Sequence, residues 1–237
     1  YKKEGSLKAL IVTGCLAQRY RQEILDEIPE VDAVLGTTAY DQILDAVDEA
    51  LKGRSSVRME DLQRLPKVEA KRQVTTGGHF AYMKIAEGCD KHCTYCIIPK
   101  IRGRFRSRPM EELIREAEEL AEQGVKELIL VAQETTLYGK DLYGEKSLPV
   151  LLRKLCKISG LRWIRVLYCY PEEITDELIR VMKEEPKICH YLDLPIQHAN
   201  DDILKRMGRK TSKQELIDIV GKLRKEIPDI CLRTTLI

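Results

Sequence analysis

The sequence predicts an α/β protein, a β/α barrel or an open doubly wound sheet preceded by part of a smaller α/β domain, and three patterns carry that prediction. Five strand-like apolar runs, at 80–86, 127–132, 163–168, 191–194 and 230–237, are separated by gaps that each hold a helical pattern. Within the second run, Leu128-Ile129-Leu130-Val131 is apolar without alternation, as a parallel strand buried on both faces demands. Ahead of them, residues 7–12, 20–28, 31–35 and 40–51 read as strand, helix, strand and helix, the start of another parallel sheet.

Local signals place the helix ends. Pro109 suits a first helical position and Gly124 the end of the same helix; Ser147 and Thr175 suit N-caps; Ser212 with Glu215 makes a capping box. From 53 to 78 the pattern dissolves into charged and polar residues around Pro66, ending at Thr75-Thr76-Gly77-Gly78. Residues 1–52 are therefore expected to form one domain, 53–78 a linker and 79–237 the larger domain. No short-period repeat or low-complexity tract stands out.

Composition narrows the class. With 237 residues, 43% of them hydrophobic and 33% charged, the chain has the profile of an ordinary globular protein. Forty basic against thirty-eight acidic side chains give a net charge of +2, so no global pull towards nucleic acid or an anionic membrane follows from the balance. No apolar stretch approaches the roughly 20 residues of a membrane span, and Tyr1-Lys2-Lys3-Glu4-Gly5 leads into no secretory core. The expected compartment is the cytoplasm, with no membrane partner.

Eight cysteines are present, and three crowd together in Gly88-Cys89-Asp90-Lys91-His92-Cys93-Thr94-Tyr95-Cys96. A 4Fe-4S cubane has four iron corners and normally takes four thiolates, so a C-x3-C-x2-C loop fills three and leaves one iron free to bind a ligand. Gly88 allows the backbone to turn before the first cysteine. The same spacing also describes a zinc site completed by His92, or three cysteines with a purely structural role. Cys156, Cys169, Cys189 and Cys231 stand singly in strand-like or helical segments, as small buried apolar groups do in a reducing compartment.

In β/α architectures, chemistry gathers at the carboxyl ends of the strands. That rule selects four loops: the cysteine loop, Gln133-Glu134-Thr135-Thr136, Tyr168-Cys169-Tyr170, and Gln197-His198-Ala199-Asn200. Thr135, Thr136 and Asn200 equally fit turns and helix caps. Gln133 and His198, just beyond apolar strands, are placed to orient a polar ligand, although a single histidine also serves structure. Lys100, Arg102, Arg104, Arg106 and Arg108 follow the cysteine loop as a basic run. It reads as a salt-bridged face, or as a rim gripping phosphate or carboxylate.

Cys89, Cys93, Tyr95 and Cys96 resemble the C-x3-C-x-aromatic-C loop of the radical S-adenosylmethionine enzymes. With Ile97-Ile98-Pro99, Arg102-Gly103-Arg104 and Arg106-Ser107-Arg108, and with Thr13-Gly14-Cys15-Leu16-Ala17-Gln18-Arg19-Tyr20 earlier, the chain is similar to the methylthiotransferases of that group. Ala132-Gln133-Glu134-Thr135-Thr136, Leu167-Tyr168-Cys169-Tyr170-Pro171-Glu172 and Asp193-Leu194-Pro195-Ile196-Gln197-His198 resemble the members that modify a ribosomal protein. The transfer-RNA members typically carry Gly-Gln-Asn-type and Gln-Ser-Gly runs at the second and fourth strands, and neither is present here.

The resemblance implies a partial TIM-like radical SAM barrel behind part of a methylthiotransferase cluster domain. It implies a cluster on Cys89, Cys93 and Cys96, whose open iron chelates S-adenosylmethionine; reductive cleavage then gives a 5'-deoxyadenosyl radical. It further implies transfer of a methylthio group to the β-carbon of an aspartate of ribosomal protein S-twelve, on its own or in the small ribosomal subunit. Tyr95, Gln133, Gln197 and His198 become candidate cofactor contacts. Cys15 becomes one ligand of a second 4Fe-4S cluster, whose other two cysteines this sequence does not contain. A sulfur donor and an electron donor are implied as partners. The chain is expected to be a fragment stopping inside the fifth barrel strand, and on its own not fully active. Modification of an adenosine in transfer RNA, and a non-enzymatic zinc or iron-sulfur module, are the alternative functions.

Overall fold

The computed structural model describes residues 2, 4–66, 72–75 and 77–237. Contacts divide the chain into two units, Tyr1–Lys71 with Ile97–Arg104, and Arg72–Cys96 with Phe105–Ile237.

In the first unit, strands β1 (Ile11–Thr13), β2 (Ala33–Leu35) and β3 (Ser56–Arg58) form a parallel sheet with β2 in the middle. Every residue of β2 is buried, as its central position requires. The helix expected over 20–28 is α2 (Gln22–Glu27), and a short helix that was not expected, α1 (Cys15–Tyr20), precedes it, the two parted where Arg21 adopts φ +47°. Helix α3 (Ile43–Leu51) continues from a 3-10 turn at Tyr40–Gln42, as expected for 40–51. The expected linker over 53–78 is corrected by β3, whose Ser-Val-Arg is too short to show a period but pairs with Ala33 to Leu35. Its residues 67–71 and 76 lie outside the described residues. Helix α4 (Ile98–Arg102) also belongs to this unit, where the Thr37 hydroxyl donates to the Ile101 carbonyl at 2.9 Å.

The second unit is built on five parallel strands: β4 (Phe80–Lys84), β7 (Glu127–Val131), β8 (Trp163–Val166), β9 (Ile188–Asp193) and β10 (Cys231–Arg233). Their spatial order, β10-β9-β8-β7-β4, is the sequence order read backwards. Helices α5 (Met110–Glu122), α6 (Lys140–Tyr143), α7 (Leu148–Cys156), α8 (Asp176–Glu184), α9 (Asp201–Arg206) and α10 (Lys213–Glu226) fill the connections. Leu113, Ala117 and Leu120 of α5, Leu151, Leu152 and Leu155 of α7, and Val181 and Met182 of α8 close over Met83, Leu128, Leu130 and Ile164 in one core. The β/α expectation for 79–237 agrees with this parallel sheet.

The helix-end signals mostly hold. Thr175 accepts from the Leu178 N–H, the Ser212 and Glu215 capping box is formed, and Gly124 adopts φ +99° just past α5. Ser147 occupies the N-cap position of α7, but its hydroxyl donates to the Glu145 carbonyl at 3.1 Å and caps nothing. Among the described residues no helix is long and apolar enough to cross a membrane.

Candidate functional site at the carboxyl ends of the strands

The cysteine loop leaves the sheet through a short antiparallel pair, β5 (Ala86–Glu87) with β6 (Arg106–Ser107). Gly88 turns it with φ +72°, a conformation that costs a residue with a Cβ. The loop is then pinned at several points. The Phe105 N–H donates to the Asp90 carboxylate at 3.1 Å, the Thr94 N–H donates to the Met207 carbonyl at 3.0 Å, and the Thr94 hydroxyl donates to the Arg206 carbonyl at 3.0 Å. Gly208, at φ +70°, backs so closely onto the loop that a Cβ there would stand 2.9 Å from the His92 carbonyl oxygen.

Cys89 and Cys93 are buried and Cys96 is exposed. The Lys91 N–H donates to the Cys89 sulfur at 3.4 Å, and the Cys93 sulfur lies 3.6 Å from the Tyr170 hydroxyl. Burial pushes the Cys89 thiol up to about 11, with the Lys91 N–H acting against it and Glu134 and the other two cysteines adding to it. Among the described residues no three His, Cys, Asp or Glu side chains converge as a single metal ion needs. A cubane asks for something else, one soft thiolate at each of separate iron corners. Three thiols on one backbone-braced loop, two buried and one exposed, fit that group by donor chemistry.

The other strand ends meet this loop. Thr135 and Thr136 are buried and tied to β8: the Thr135 hydroxyl lies 2.7 Å from the Leu167 carbonyl, and the Tyr170 N–H donates to the Thr136 hydroxyl at 3.3 Å. They are structural ties rather than solvated turns. Tyr168 and Gln197, at the ends of β8 and β9, take φ +60° and +71°, strained for residues with side chains and held by their neighbours. The Gln197 N–H donates to the Thr235 carbonyl at 2.9 Å. His198 Nδ1 accepts from the Asn200 N–H at 3.0 Å, and Asn200 in turn caps α9, so that end of the histidine ring serves the turn.

Buried polar atoms without partners gather after β7. Gln133 Oε1 and Glu134 Oε2 are both buried and accept no hydrogen bond. Burial pushes the Glu134 carboxyl up to about 8, while its hydrogen bond from Thr136 and the Lys91 charge act in the opposite direction. Gln133 Oε1, joined by Glu134 Oε2 when that carboxyl is ionised, suits a ligand rich in N–H donors, such as the ammonium of an amino acid. Tyr95, the other expected contact, is 48% exposed, and burial of its hydroxyl together with Cys93 pushes it up to about 12.

Two neighbours, Lys91 and Arg209, escaped the sequence reading, and a third, Tyr170, was selected only as part of a strand-end loop. Lys91 pairs with Glu172 at 3.3 Å and with Glu173, so that although burial opposes its charge, the carboxylates hold the ammonium above its ordinary range. Tyr170 lies between two cations, with Lys91 Nζ 5.0 Å and the Arg209 guanidinium 4.3 Å from its ring centroid. The Tyr170 ring and its aromatic type were the available signal, within Tyr168-Cys169-Tyr170; nothing in the sequence pointed to Arg209.

Two members of the basic run are engaged within the second unit. Arg106 is buried, and Arg108 pairs with Glu116 at 2.7 Å and donates to the Lys84 carbonyl. Of the four single cysteines, Cys156 and Cys169 are buried as expected, whereas Cys189 is half-buried and Cys231 is exposed. The sheet order explains Cys231, because β10 is an edge strand. In the first unit, Cys15 is half-buried and begins α1 directly after β1, following Gly14 at φ +105°.

The sequence profile of the Radical SAM superfamily matches residues 83–237, which takes in the cysteine loop and strands β7 to β10. The chain belongs to the radical SAM superfamily. Its chemistry uses a 4Fe-4S cluster and S-adenosylmethionine. Over all 237 residues the chain is 67% identical to the ribosomal protein uS12 methylthiotransferase RimO of Lachnoclostridium phytofermentans, and over 238 aligned residues 54% identical to that of Clostridium perfringens. It spans 54% of the length of each, about half of these curated relatives. The radical S-adenosylmethionine methyltransferase TsrM from Kitasatospora setae, solved with cobalamin and a [4Fe-4S] cluster, superposes with a TM-score of 0.62 at 15% identity, covering all of this chain and 59% of that one. At that identity the likeness speaks for the radical SAM fold alone.

Proposed function

We propose that this chain is the cluster-bearing part of a methylthiotransferase that acts on an aspartate of ribosomal protein uS12. The observation that carries the reading is the braced loop of Cys89, Cys93 and Cys96 at the sheet's carboxyl end, in a chain 67% identical to a uS12 methylthiotransferase. The second unit then forms the partial radical SAM barrel, and the first unit part of the methylthiotransferase cluster domain, with Cys15 one ligand of a second 4Fe-4S cluster completed by residues outside this sequence. The setting is the cytoplasm, with a sulfur donor and a one-electron donor as partners.

Cys89, Cys93 and Cys96 would hold the first cluster, leaving one iron for S-adenosylmethionine. When bound, cluster and S-adenosylmethionine supply the one-electron chemistry that removes a hydrogen atom from the substrate carbon. The chain's own groups do the positioning. Gln133 Oε1 offers an acceptor to the cofactor's ammonium, and Glu134 Oε2 a second once its carboxyl is ionised. Tyr95, beside the cysteines, offers an aromatic edge to the adenosyl group, and Gln197 holds the rim after β9. Thr135 and Thr136, locked to β8, keep the Gln133 and Glu134 loop in place and limit access of water.

Anaerobic reconstitution with iron and sulfide tests the reading. The wild-type chain is expected to take up about four irons and four sulfides on these cysteines, and Cys93→Ala to lose them. Stoichiometric zinc without sulfide would instead indicate a binding module. With the longer natural protein, incubation with ribosomal protein uS12 or with transfer RNA distinguishes the two methylthiotransferase classes: a methylthio-adenosine product would overturn the assignment to uS12.

A further inference from the structure

Behind the cysteine loop sits a buried cation that the loop's hydrogen bonding leaves partly unused. Arg209 is 7% exposed. Its Nη2 donates to the Pro195 carbonyl at 3.0 Å, but Nε and Nη1 are buried with no hydrogen-bond partner. Leaving such donors unsatisfied costs about 1–3 kcal/mol each, more for a charged group, so an unused pair in a native fold calls for an explanation.

The groups that face the guanidinium are few. Besides Tyr170, which lies under it at 4.3 Å and carries its own hydroxyl to 3.6 Å from the Cys93 sulfur, they are Glu172, Tyr95 and Cys93. The Glu172 carboxylate is already shared, accepting from the Thr211 hydroxyl at 2.8 Å and pairing with Lys91 at 3.3 Å. Lys91 is a second nearby cation, but Glu172 and Glu173 both neutralise it. The Tyr170 hydroxyl reaches the Cys93 sulfur as a neutral donor at 3.6 Å, and Arg209 adds a cation with spare donors. A neutral thiol has little use for them, whereas a thiolate bound to a cluster is an acceptor with negative charge.

We propose that Arg209 is a positioning residue for the cluster: braced by Tyr170, it sets its two free N–H donors against the Cys93 thiolate and favours the cluster's reduced state. The inference rests on the reading of Cys89, Cys93 and Cys96 as cluster ligands. Reduction takes one electron from an external low-potential donor, adds one negative charge to the cluster, and makes or breaks no bond. A fixed cation in a buried site stabilises the more negative state more strongly, and hydrogen bonds to the sulfurs act in the same direction. The planar guanidinium can stack on Tyr170 and donate in plane at once, which a lysine ammonium cannot.

The test compares wild type, Arg209→Gln and Arg209→Lys after anaerobic reconstitution, with iron and sulfide counted and the one-electron reduction followed by electron paramagnetic resonance during a dithionite titration. Arg209→Gln is expected to load normally and to be reduced with an equilibrium constant about tenfold lower, equivalent to about 59 mV. Arg209→Lys is expected to fall between it and wild type. A wild-type potential in Arg209→Gln, or equal shifts in both variants, would overturn the role of charge and leave only packing. Should Arg209→Gln fail to load, Arg209→Lys decides: wild-type loading supports the proposal, and the same failure overturns it. A wild-type protein that takes up no iron and sulfide would sink the cluster reading itself, and this proposal with it.

Discussion

The Tyr170 hydroxyl lies 3.6 Å from the Cys93 sulfur, although the two residues are 77 positions apart in the chain. Tyr170 also carries Arg209 on its ring face at 4.3 Å, with Lys91 at 5.0 Å. Burial pushes its hydroxyl above the ordinary tyrosine range, so it remains a donor throughout neutral pH. Tyr170→Phe keeps the ring and loses only the hydroxyl, and is expected to cost about 1 kcal/mol in urea unfolding. Tyr170→Ala loses the platform as well and is expected to cost about 3 kcal/mol. Equal midpoints for the two variants would show that the ring carries no load.

Gly208 packs against the backbone of the same loop. Gly208→Ala places a methyl 2.9 Å from the His92 carbonyl oxygen at a φ of +70°. A loss of about 1–3 kcal/mol follows from the strain alone. Displacement of residues 92–94 should also lower iron uptake on reconstitution. Unfolding and iron content both at wild-type levels would mean that the loop accommodates the methyl without moving.

Glu134 makes stability depend on pH. Burial raises its carboxyl from 4.5 to about 8, so the folded chain keeps a proton that the unfolded chain gives up between those values. Its contribution to stability is full below about pH 4.5 and falls as pH rises to about 8, beyond which it is flat. Glu134→Gln cannot ionise and should remove this slope, gaining on the order of 2 kcal/mol at pH 8 in the unloaded protein. Parallel stability profiles for variant and wild type from pH 5 to about 8 would show that Glu134 is ionised in the fold.

Thiol alkylation separates the cysteines by depth. Cys96 and Cys231 are exposed, whereas burial pushes Cys156 and Cys169 up to about 12. Iodoacetamide acting on the unloaded protein is expected to modify Cys96 and Cys231 first. Cys156 and Cys169 should react at least about 100-fold more slowly, because they wait for local opening and for a thiolate that burial disfavours. Peptide mass spectrometry reads the order, and early labelling of Cys169 would contradict its place in the core.

Features fixed by neighbouring residues were legible in the sequence. The five runs of the larger sheet show because buried parallel strands need continuous apolar stretches, as in Leu128 to Val131. The Thr175 cap, the Ser212 and Glu215 box, and the turn at Gly88 show because each depends on residues within a few positions. Strand β3 did not show: Ser56, Val57 and Arg58 are a strand only because β2 supplies their partners. The break at Arg21 and the exposure of Cys231 escaped for the same reason, since an edge is defined by the sheet and not by the strand.

Read alone, the sequence carries the alternation of strands and helices and the cysteine loop that lies within the Radical SAM match. Only the tertiary structure decided what surrounds those cysteines. Tyr170, Gly208 and Arg209 come from distant segments, and Lys91, although within the loop, acquires its role only through Glu172 and Glu173. Short-range pattern encodes backbone conformation and burial, whereas the electrostatic environment of a site is a sum over charges that only folding brings within a few ångströms.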